Sequence, residues 1–352
     1  MRIPKFIEPG NVLGLVAPSF GCVGEPYETR LRVAVRRFES QGYQVVCADS
    51  CYKSDGLGIS TKPEAAADDL VQFYLDKSID AVLSVGGGEL MNETISHVDF
   101  HRLAEAEPKW FMGYSDNTNF IFPMALLAQT AGIYGPCAPG FGKPWEQPER
   151  DAFALLEGRD LTVKGYSRFQ PPEAKEENTD PLARYVLTEK KELTSFVPVG
   201  NVLLKAGELT EIRMEGTLLG GCLDVLENLS GTEFDGTRAF CANGKKAVWV
   251  LEACDLSPMS IRRTLWHLRH QGWFDTAAGF LIGRPLAAWK QEMMGVNAYN
   301  AVTDVLGDLG VPVVMDADVG HISPMMPLII GAEAAVTARG NDLTVEHLMQ
   351  EV

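Results

Sequence analysis

The first 140 residues alternate between two hydrophobic patterns. Short apolar runs, typical of buried strands, recur at 12–17, 43–48, 81–85, 109–113 and 132–135. Between them, apolar residues fall at helical spacing over 27–41, 63–75 and 117–131. Repeated strand–helix–strand units predict a parallel sheet with helices on both faces, so we expect an α/β domain over residues 1–140.

The pattern changes over residues 141–181, where glycine, proline and charged residues interrupt the periodicity and predict a connection. One helix is predicted near 150–157, and the charged run at 173–177 indicates a solvated surface loop. Beyond it we predict a second, mixed α/β domain over residues 182–352. Its predicted strands are 247–251, 279–282, 311–315, 328–330 and 334–337, and its predicted helices are 260–271 and 297–309.

The tetrapeptide Gly113-Tyr114-Ser115-Asp116 lies where a predicted buried strand gives way to a helix. A sharp turn there would expose the Ser115 hydroxyl and aim the first backbone N–H groups of the helix at incoming negative charge, as in the nucleophile elbow of serine hydrolases. The second glycine of that elbow is Asn117 here. The motif alone therefore leaves two interpretations of Ser115, a nucleophile or an ordinary helix N-cap.

Composition and charge exclude several classes of protein. The chain has 352 residues, of which 46% are hydrophobic and 22% charged, as in ordinary globular domains. A formal charge of −16 repels phosphate backbones and anionic lipid, so we expect neither a nucleic-acid polymer nor a membrane as partner. The first residues contain no signal-like apolar segment, which predicts a cytoplasmic protein. The seven cysteines include no CxxC pair and are expected to be reduced and mostly buried.

A serine nucleophile needs a base, and the base needs an acid that orients it. Of the six histidines, His321 is placed best, because it lies in a glycine-bearing loop directly after a predicted strand. Glu252 is the matching carboxylate, since it ends an apolar run and a buried acid needs a hydrogen-bonding partner. An ion pair of Glu252 with Arg262 or Arg263 of the next predicted helix stays open.

The other histidines are better explained by surface or packing roles. Four of them lie on predicted helices: His97, His101, His267 and His270. The first two are four residues apart, as in some metal sites, but no HExxH pattern accompanies them and a solvated helix face is favoured. The fifth, His347, is expected to be exposed near the C-terminus.

The glycines Gly86-Gly87-Gly88 follow the predicted strand 81–85. They lack the GxGxxG spacing and the lysine of a phosphate-binding loop, so a phosphate cradle is not supported. The backbone N–H of Gly86 or Gly87, together with that of Asp116, is suited instead to an oxyanion hole.

Several separated segments together resemble one family, the serine peptidases that include the muramoyl-tetrapeptide LD-carboxypeptidases and the microcin C self-immunity peptidases. The segments span nearly the whole chain: 15–19, 85–87, 108–118, 216–222, Leu251-Glu252 with Pro258 and Arg263, and Gly320-His321 with Pro327 and Gly331.

This resemblance implies Ser115 as the nucleophile, His321 as the base and Glu252 as the acid that orients it, with the oxyanion groups named above. It also implies a flavodoxin-like N-terminal domain carrying the serine and a smaller mixed α/β C-terminal domain carrying the other two. The expected protein is a homodimer without a metal or an organic cofactor. The expected reaction is hydrolysis of an amide near the C-terminus of a small peptide, through an acyl-enzyme.

Two branches of the family offer different substrates, an LD-linked muropeptide from cell-wall recycling or a peptidyl-nucleotide or aminoacyl conjugate. The loop after the glycine pair matches neither branch. LD-carboxypeptidases tend to carry an aromatic residue where this chain has Gly88, and immunity relatives tend to continue with asparagine and serine where it has Glu89-Leu90-Met91.

Ser19, Gly88 and Glu89 are the predicted substrate contacts, and the extra length over 171–209 is a candidate substrate cover. A binding protein that kept the fold and lost catalysis is a third interpretation of the chain.

Overall fold

The structure is a computed structural model that describes residues 1–174 and 180–349, so residues 175–177 of the predicted surface loop lie outside it. The helices are α1 Tyr27–Ser40, α2 Pro63–Leu75, α3 Met91–Ile95, α4 Phe100–Glu105, α5 Thr118–Leu126, α6 Gln147–Leu156, α7 Leu223–Leu229, α8 Thr237–Ala242, α9 Pro258–His270 and α10 Ala298–Leu306. None of the helices in these residues is long and apolar enough to cross a bilayer.

The strands alternate with these helices in both halves of the chain. They are β1 Val12–Val16, β2 Gln44–Cys47, β3 Ala81–Ser84, β4 Trp110–Gly113, β5 Gly132–Tyr134, β6 Thr162–Lys164, β7 Arg168–Phe169, β8 Glu189–Lys190, β9 Thr194–Val199, β10 Val202–Lys205, β11 Glu211–Cys222, β12 Ala247–Glu252, β13 Ala277–Gly283, β14 Glu292–Met293, β15 Val296–Asn297, β16 Val313–Ala317, β17 Leu328–Ile330, β18 Glu333–Arg339 and β19 Asp342–His347.

The chain forms two compact units and passes between them several times. Unit 1 comprises Met1–Leu161, Glu173–Tyr185 and Pro327–Ile329. Unit 2 comprises Thr162–Pro172, Val186–Met326 and Ile330–Val352. The sequence predicts domains over residues 1–140 and 182–352, and the limits of the two units differ from these. Helix α6 and the two later segments Glu173–Tyr185 and Pro327–Ile329 belong to unit 1.

Unit 1 is built on a six-stranded sheet with the order β17-β5-β4-β3-β1-β2. Strands β1 to β5 pair in parallel in the order 2-1-3-4-5, which is that of flavodoxin-like folds and confirms the predicted N-terminal fold. In such sheets ligands bind beyond the carboxyl ends of the strands, where the order reverses. The loops that follow β1, β3 and β4 therefore meet at one edge.

Two aromatic clusters pack the helices of unit 1. In the first, Phe38 of α1 lies 5.7 Å from Phe153 of α6, ring centre to ring centre. In the second, Phe120 of α5 lies 4.7 Å from Phe111 of β4 and 6.0 Å from Tyr74 of α2. Because all five rings are almost wholly buried, they supply much of the apolar area that holds these helices in place.

Unit 2 contains a nine-stranded mixed sheet with the order β10-β9-β16-β13-β12-β11-β18-β19-β6. Its centre, β11-β12-β13-β16, is parallel, and antiparallel strands flank it on both sides. This architecture confirms the predicted mixed α/β second domain. The four parallel strands end at Cys222, Glu252, Gly283 and Ala317, so the residues that follow them gather at one edge of the sheet.

Gly220 allows β11 to approach β12 closely. Its φ is +130°, and a Cβ atom at this position would lie 1.9 Å from the carbonyl oxygen of Val250 in β12. No side chain fits there without separating the two strands. Since β12 carries Glu252 two residues later, the close approach also fixes the position of that carboxylate.

We expect Gly220→Ala to lower the thermal midpoint of unfolding far more than Gly244→Ala. Gly244 also has a positive φ, of +70°, but a Cβ there meets nothing within 4 Å. The control should lose about 1–2 kcal/mol from backbone strain alone, whereas Gly220→Ala adds a clash with backbone that cannot rotate away. Calorimetry of both variants measures the difference, and equal losses would contradict this account of the β11–β12 contact.

Candidate active site

Ser115 occupies a strained turn directly after β4. Its φ is +58°, a left-handed conformation that is uncommon for serine. The Ser115 N–H donates to the Tyr134 hydroxyl at 3.0 Å, and the Thr118 hydroxyl donates to the Ser115 carbonyl at 2.6 Å. The N-caps of the short 3-10 helix and of α5 are Tyr114 and Asn117, so Ser115 is not an ordinary helix N-cap.

Asn117 takes the place of the second glycine of the elbow. Its side-chain amide donates to the carbonyls of Gly86, at 2.9 Å, and Tyr114, at 3.0 Å. A Cβ at Gly113 would lie 2.7 Å from the side-chain carbon of Asn117, so the first glycine is what makes room for the asparagine. The asparagine thus joins the turn after β4 to the loop after β3.

The glycine loop after β3 lies against the serine. A Cβ built on Gly87 would be 3.6 Å from the Ser115 Oγ, and the Gly87 carbonyl accepts from the Phe20 N–H at 3.0 Å. Gly88 has a φ of +155°, and a Cβ there would be 2.0 Å from the Ser19 Oγ. An aromatic residue cannot replace Gly88 while Ser19 keeps this position.

The side chain of Asp116 holds three loops of unit 1 together, a role that sequence reasoning missed. It is 2% exposed, and its carboxylate accepts from the Ser19 hydroxyl, from the Met91 N–H at 2.9 Å and from the Asn119 amide at 2.8 Å. Burial raises the pKa of Asp116, and these hydrogen bonds offset part of that rise. The available signal in the sequence was a polar residue after β1 and another after β4, the two strands that pair with β3 on either side.

The predicted substrate contacts of unit 1 differ in exposure. Ser19 is fully buried with its hydroxyl on Asp116, whereas Glu89 is exposed. Substrate contact by Ser19, Gly88 and Glu89 stays a prediction.

In unit 2, Glu252 and His321 form a close pair. The carboxylate, 1% exposed at the end of β12, has its Oε2 2.8 Å from the His321 Nδ1. Because an ionised carboxylate only accepts, Nδ1 donates, and the proton-accepting role falls to Nε2. The two arginines that stayed open as partners of Glu252 have other partners: Arg262 pairs with Asp304, and Arg263 donates to Ser260.

The surroundings of His321 shift its pKa in opposite directions. Burial lowers the pKa of the imidazole, but the charge of Glu252 and hydrogen bonds to Cys254 and Glu252 outweigh burial and raise the pKa well above its usual value. The charge of Glu252 would therefore stabilise the imidazolium that forms when His321 accepts a proton. An acid that orients a catalytic histidine has this effect.

Gly320 is required for this pair. Its φ is +101°, and a Cβ on it would lie 2.4 Å from the Oε2 of Glu252. Any other residue would displace the carboxylate from His321.

A buried charge cluster holds the loop that carries His321, and sequence reasoning missed it. Asp318, fully buried, accepts from the Arg284 guanidinium and from the Tyr166 N–H at 2.7 Å, and the Lys191 ammonium lies 3.6 Å away. The Asp318 carbonyl also accepts from the Met326 N–H at 2.6 Å, which closes the loop at its base. The available signal in the sequence for this cluster was that an acid, Asp318, and an arginine, Arg284, each follow a buried strand.

The remaining histidines and the cysteines lie as follows. The expectation that His347 is exposed is wrong: it is 3% exposed, at the end of β19, which lies inside the nine-stranded sheet between β18 and β6. His97 and His101 are on the surface, as predicted. None of the seven cysteines, all within the described residues, forms a disulfide, and four are buried: Cys22, Cys51, Cys137 and Cys222.

We expect Asp318→Ala to destabilise unit 2 severely, since it leaves Arg284 and Lys191 buried without their counter-charge. Breaking a buried pair in this way costs about 3–5 kcal/mol. Asp304→Ala, which removes the partly exposed partner of Arg262, is the matched control and should cost at most about 1 kcal/mol. Thermal unfolding of both variants checks this, and a small loss in Asp318→Ala would show that the cluster does not hold the loop.

Both halves of the chain match known protein families. Residues 13–135 match the family model for the LD-carboxypeptidase N-terminal domain, and residues 215–336 match that for the LD-carboxypeptidase C-terminal domain. A relative described as "Probable murein peptide carboxypeptidase", from Bacillus subtilis, is 27% identical over 99% of this chain and 95% of its own length. The microcin C7 self-immunity protein MccF of Escherichia coli is 22% identical over 88% of this chain and 86% of its own length.

A solved structure supports the same fold. It is of a protein of the same name, MccF, in complex with aspartyl sulfamoyl adenosine, and it matches with a TM-score of 0.78 at 18% identity, covering 100% of both chains.

Proposed function

The chain belongs to the LD-carboxypeptidase family, and from this we propose that it is a serine peptidase that hydrolyses an amide near the C-terminus of a small peptide. The observation that carries the serine mechanism is the 2.8 Å hydrogen bond between the His321 Nδ1 and the buried Glu252. Such a pair holds the ring in the tautomer that accepts a proton at Nε2.

In the proposed reaction Ser115 is the nucleophile. Its Oγ attacks the carbonyl carbon of the scissile amide while the His321 Nε2 takes the hydroxyl proton. The imidazolium gives that proton to the leaving nitrogen, and the C–N bond breaks to leave an ester on Ser115. Water, deprotonated by the same imidazole, then attacks the ester and releases the peptide acid and the serine hydroxyl. Glu252 keeps its charge throughout and stabilises the imidazolium.

The developing oxyanion is proposed to be bound by the backbone N–H of Gly86 or Gly87 and by that of Asp116. Two features of unit 1 support this: the Gly87 backbone lies beside the Ser115 hydroxyl, and the Asp116 side chain anchors the loops on either side. Rigid donors of this kind act without reorganisation at the moment of reaction, and each contributes on the order of a hundredfold or more to the rate.

We propose an LD-linked muropeptide of cell-wall recycling as the substrate. The murein peptide carboxypeptidase relative is more similar, at 27% identity against 22%, and aligns over more of the chain than MccF. The second candidate is a peptidyl-nucleotide or aminoacyl conjugate, favoured by the likeness to MccF, which has been solved with aspartyl sulfamoyl adenosine. A homodimer and a cytoplasmic location stay predictions.

We expect Ser115→Ala to lower turnover of the cleaved peptide by at least about a thousandfold, because removal of the nucleophile eliminates the acyl-enzyme route. The thermal midpoint should stay near that of the wild type. Ser96→Ala, at an exposed serine of the same unit, is the matched control and should retain full activity. The measurement is single-turnover cleavage of an LD-linked muropeptide and, in parallel, of a peptidyl-adenylate analogue.

The same experiment separates the candidates. Cleavage of only the muropeptide supports the leading proposal, and cleavage of only the adenylate analogue supports the second. An acylating serine probe distinguishes catalysis from a binding role, since it should label Ser115 in the wild type. A wild type that is neither labelled nor active on either substrate would remove the serine mechanism.

A further inference from the structure

Three side chains with metal-binding atoms meet at one edge of the sheet of unit 2. The Sγ of Cys222, a carboxylate oxygen of Glu252 and a ring nitrogen of His321 all lie within 4.8 Å of one another. Within residues 1–174 and 180–349 this is the only group of three such donors. The cysteine has no part in the reaction proposed above, so its presence beside the pair calls for another explanation.

The backbone fixes this arrangement. Cys222 and Glu252 are direct neighbours across the parallel β11–β12 pair, and each is the last residue of its strand. His321 comes from the loop that the buried Asp318 holds in place. Because the three donors come from two strand ends and an anchored loop, little conformational entropy remains to be lost when a ligand binds them.

We propose that Cys222, Glu252 and His321 form a Zn²⁺ site whose occupancy blocks the imidazole. Thiolate, imidazole and carboxylate are the three donor types that zinc binds in proteins, and three protein ligands with an open fourth position is a common arrangement. Zinc bonds of about 2.0–2.3 Å require donor atoms roughly 3.5 Å apart. The separations between the donor atoms therefore need to change by up to about 1.3 Å for the cluster to close on the ion, within the reach of side-chain rotation.

A second carboxylate lies behind the thiol. The Oδ2 of Asp224 is 3.3 Å from the Cys222 Sγ and accepts from the Cys254 N–H at 3.0 Å, and its Oδ1 accepts from the Asp255 N–H at 2.8 Å. This is the kind of outer partner that orients a metal ligand. It also adds negative charge next to the proposed cation.

The binding step is a ligand exchange without redox change. The Cys222 S–H bond breaks, its proton passes to Asp224 and on to solvent, and the sulfur lone pair forms the Zn–S bond. The proton on the His321 Nδ1 moves to Nε2, so that the Nδ1 lone pair and the carboxylate replace waters of the hydrated ion, and one water stays in the fourth position. Through that bond zinc would keep His321 from serving as a base, a consequence that rests on the proposed function, whereas binding itself does not.

Binding is tested on the full chain with Zn²⁺ in competition with a chromophoric chelator, and with Co²⁺ as a spectroscopic substitute. We expect one ion per chain and a thiolate-to-Co²⁺ charge-transfer band. Cys222→Ser should abolish the band and weaken Zn²⁺ binding by at least about tenfold. The matched control is Cys241→Ser, a half-buried cysteine of the same unit that is outside the cluster, and it should leave both readouts unchanged.

The wild-type spectrum keeps the proposal testable if Cys222→Ser fails to fold, and Cys222→Ala serves as a second variant. A wild type without the thiolate band, or variants that bind Zn²⁺ as tightly as the wild type does, would overturn the site. If a substrate is cleaved, Zn²⁺ should inhibit its hydrolysis, and addition of a chelator should restore activity. The Cys222→Ser variant should need at least about ten times more zinc for the same inhibition. Binding without inhibition would overturn the blocking role, and an inactive wild type that still binds zinc would refute only the proposed function.

Discussion

The burial of the Glu252 carboxylate is the constraint on which unit 2 depends. An ionised acid that is 1% exposed is stable only with hydrogen-bond donors around it, and the donor here is the imidazole of His321. Two glycines make the contact possible, because a Cβ on Gly320 or Gly283 would press against the glutamate at 2.4 Å and 3.0 Å. The packing of Glu252 and His321 therefore depends on both glycines, and none of these four residues can be replaced without disturbing the others.

Each unit uses a buried carboxylate to shape its loops, and in unit 2 this acid is a different one from Glu252. Asp116 joins the segments after β1, β3 and β4, and Asp318 ties the loop after β16 to Arg284, which follows β13. In both cases the acid lies at the carboxyl ends of parallel strands. The loops there do not have the backbone hydrogen bonds that join one strand to the next. Hydrogen bonds to a charged group are strong in an environment without water when every polar atom has a partner. They therefore give these loops the rigidity that strands gain from backbone pairing.

Sequence patterns identified the elements whose signals are local. The helix over 63–75 agrees to the residue, because a proline begins it and apolar residues fall at regular spacing. Pairing between distant strands carries no such signal: residues 328–330 and 334–337 are both predicted as strands, but the sequence does not indicate that β17 belongs to the six-stranded sheet and β18 to the nine-stranded one. The short, half-exposed strands β9 and β10 were missed although both contain apolar residues, and Pro198 within β9 argues against a strand in the sequence. Glu252 and His321 could be found as polar residues after apolar strands, but the partners of Asp116 and Asp318 depend on the fold.

Strand β17 imposes an order on biosynthesis. It lies beside β5 and completes the sheet of unit 1, but it comes from the far end of the chain. A nascent chain emerges N-terminus first, so β1 to β5 can associate long before their last neighbour exists. During that interval β5 presents an open edge to other chains, the kind of surface that promotes aggregation. The sheet of the unit that carries Ser115 can therefore be completed only after residues 328–330 have been translated.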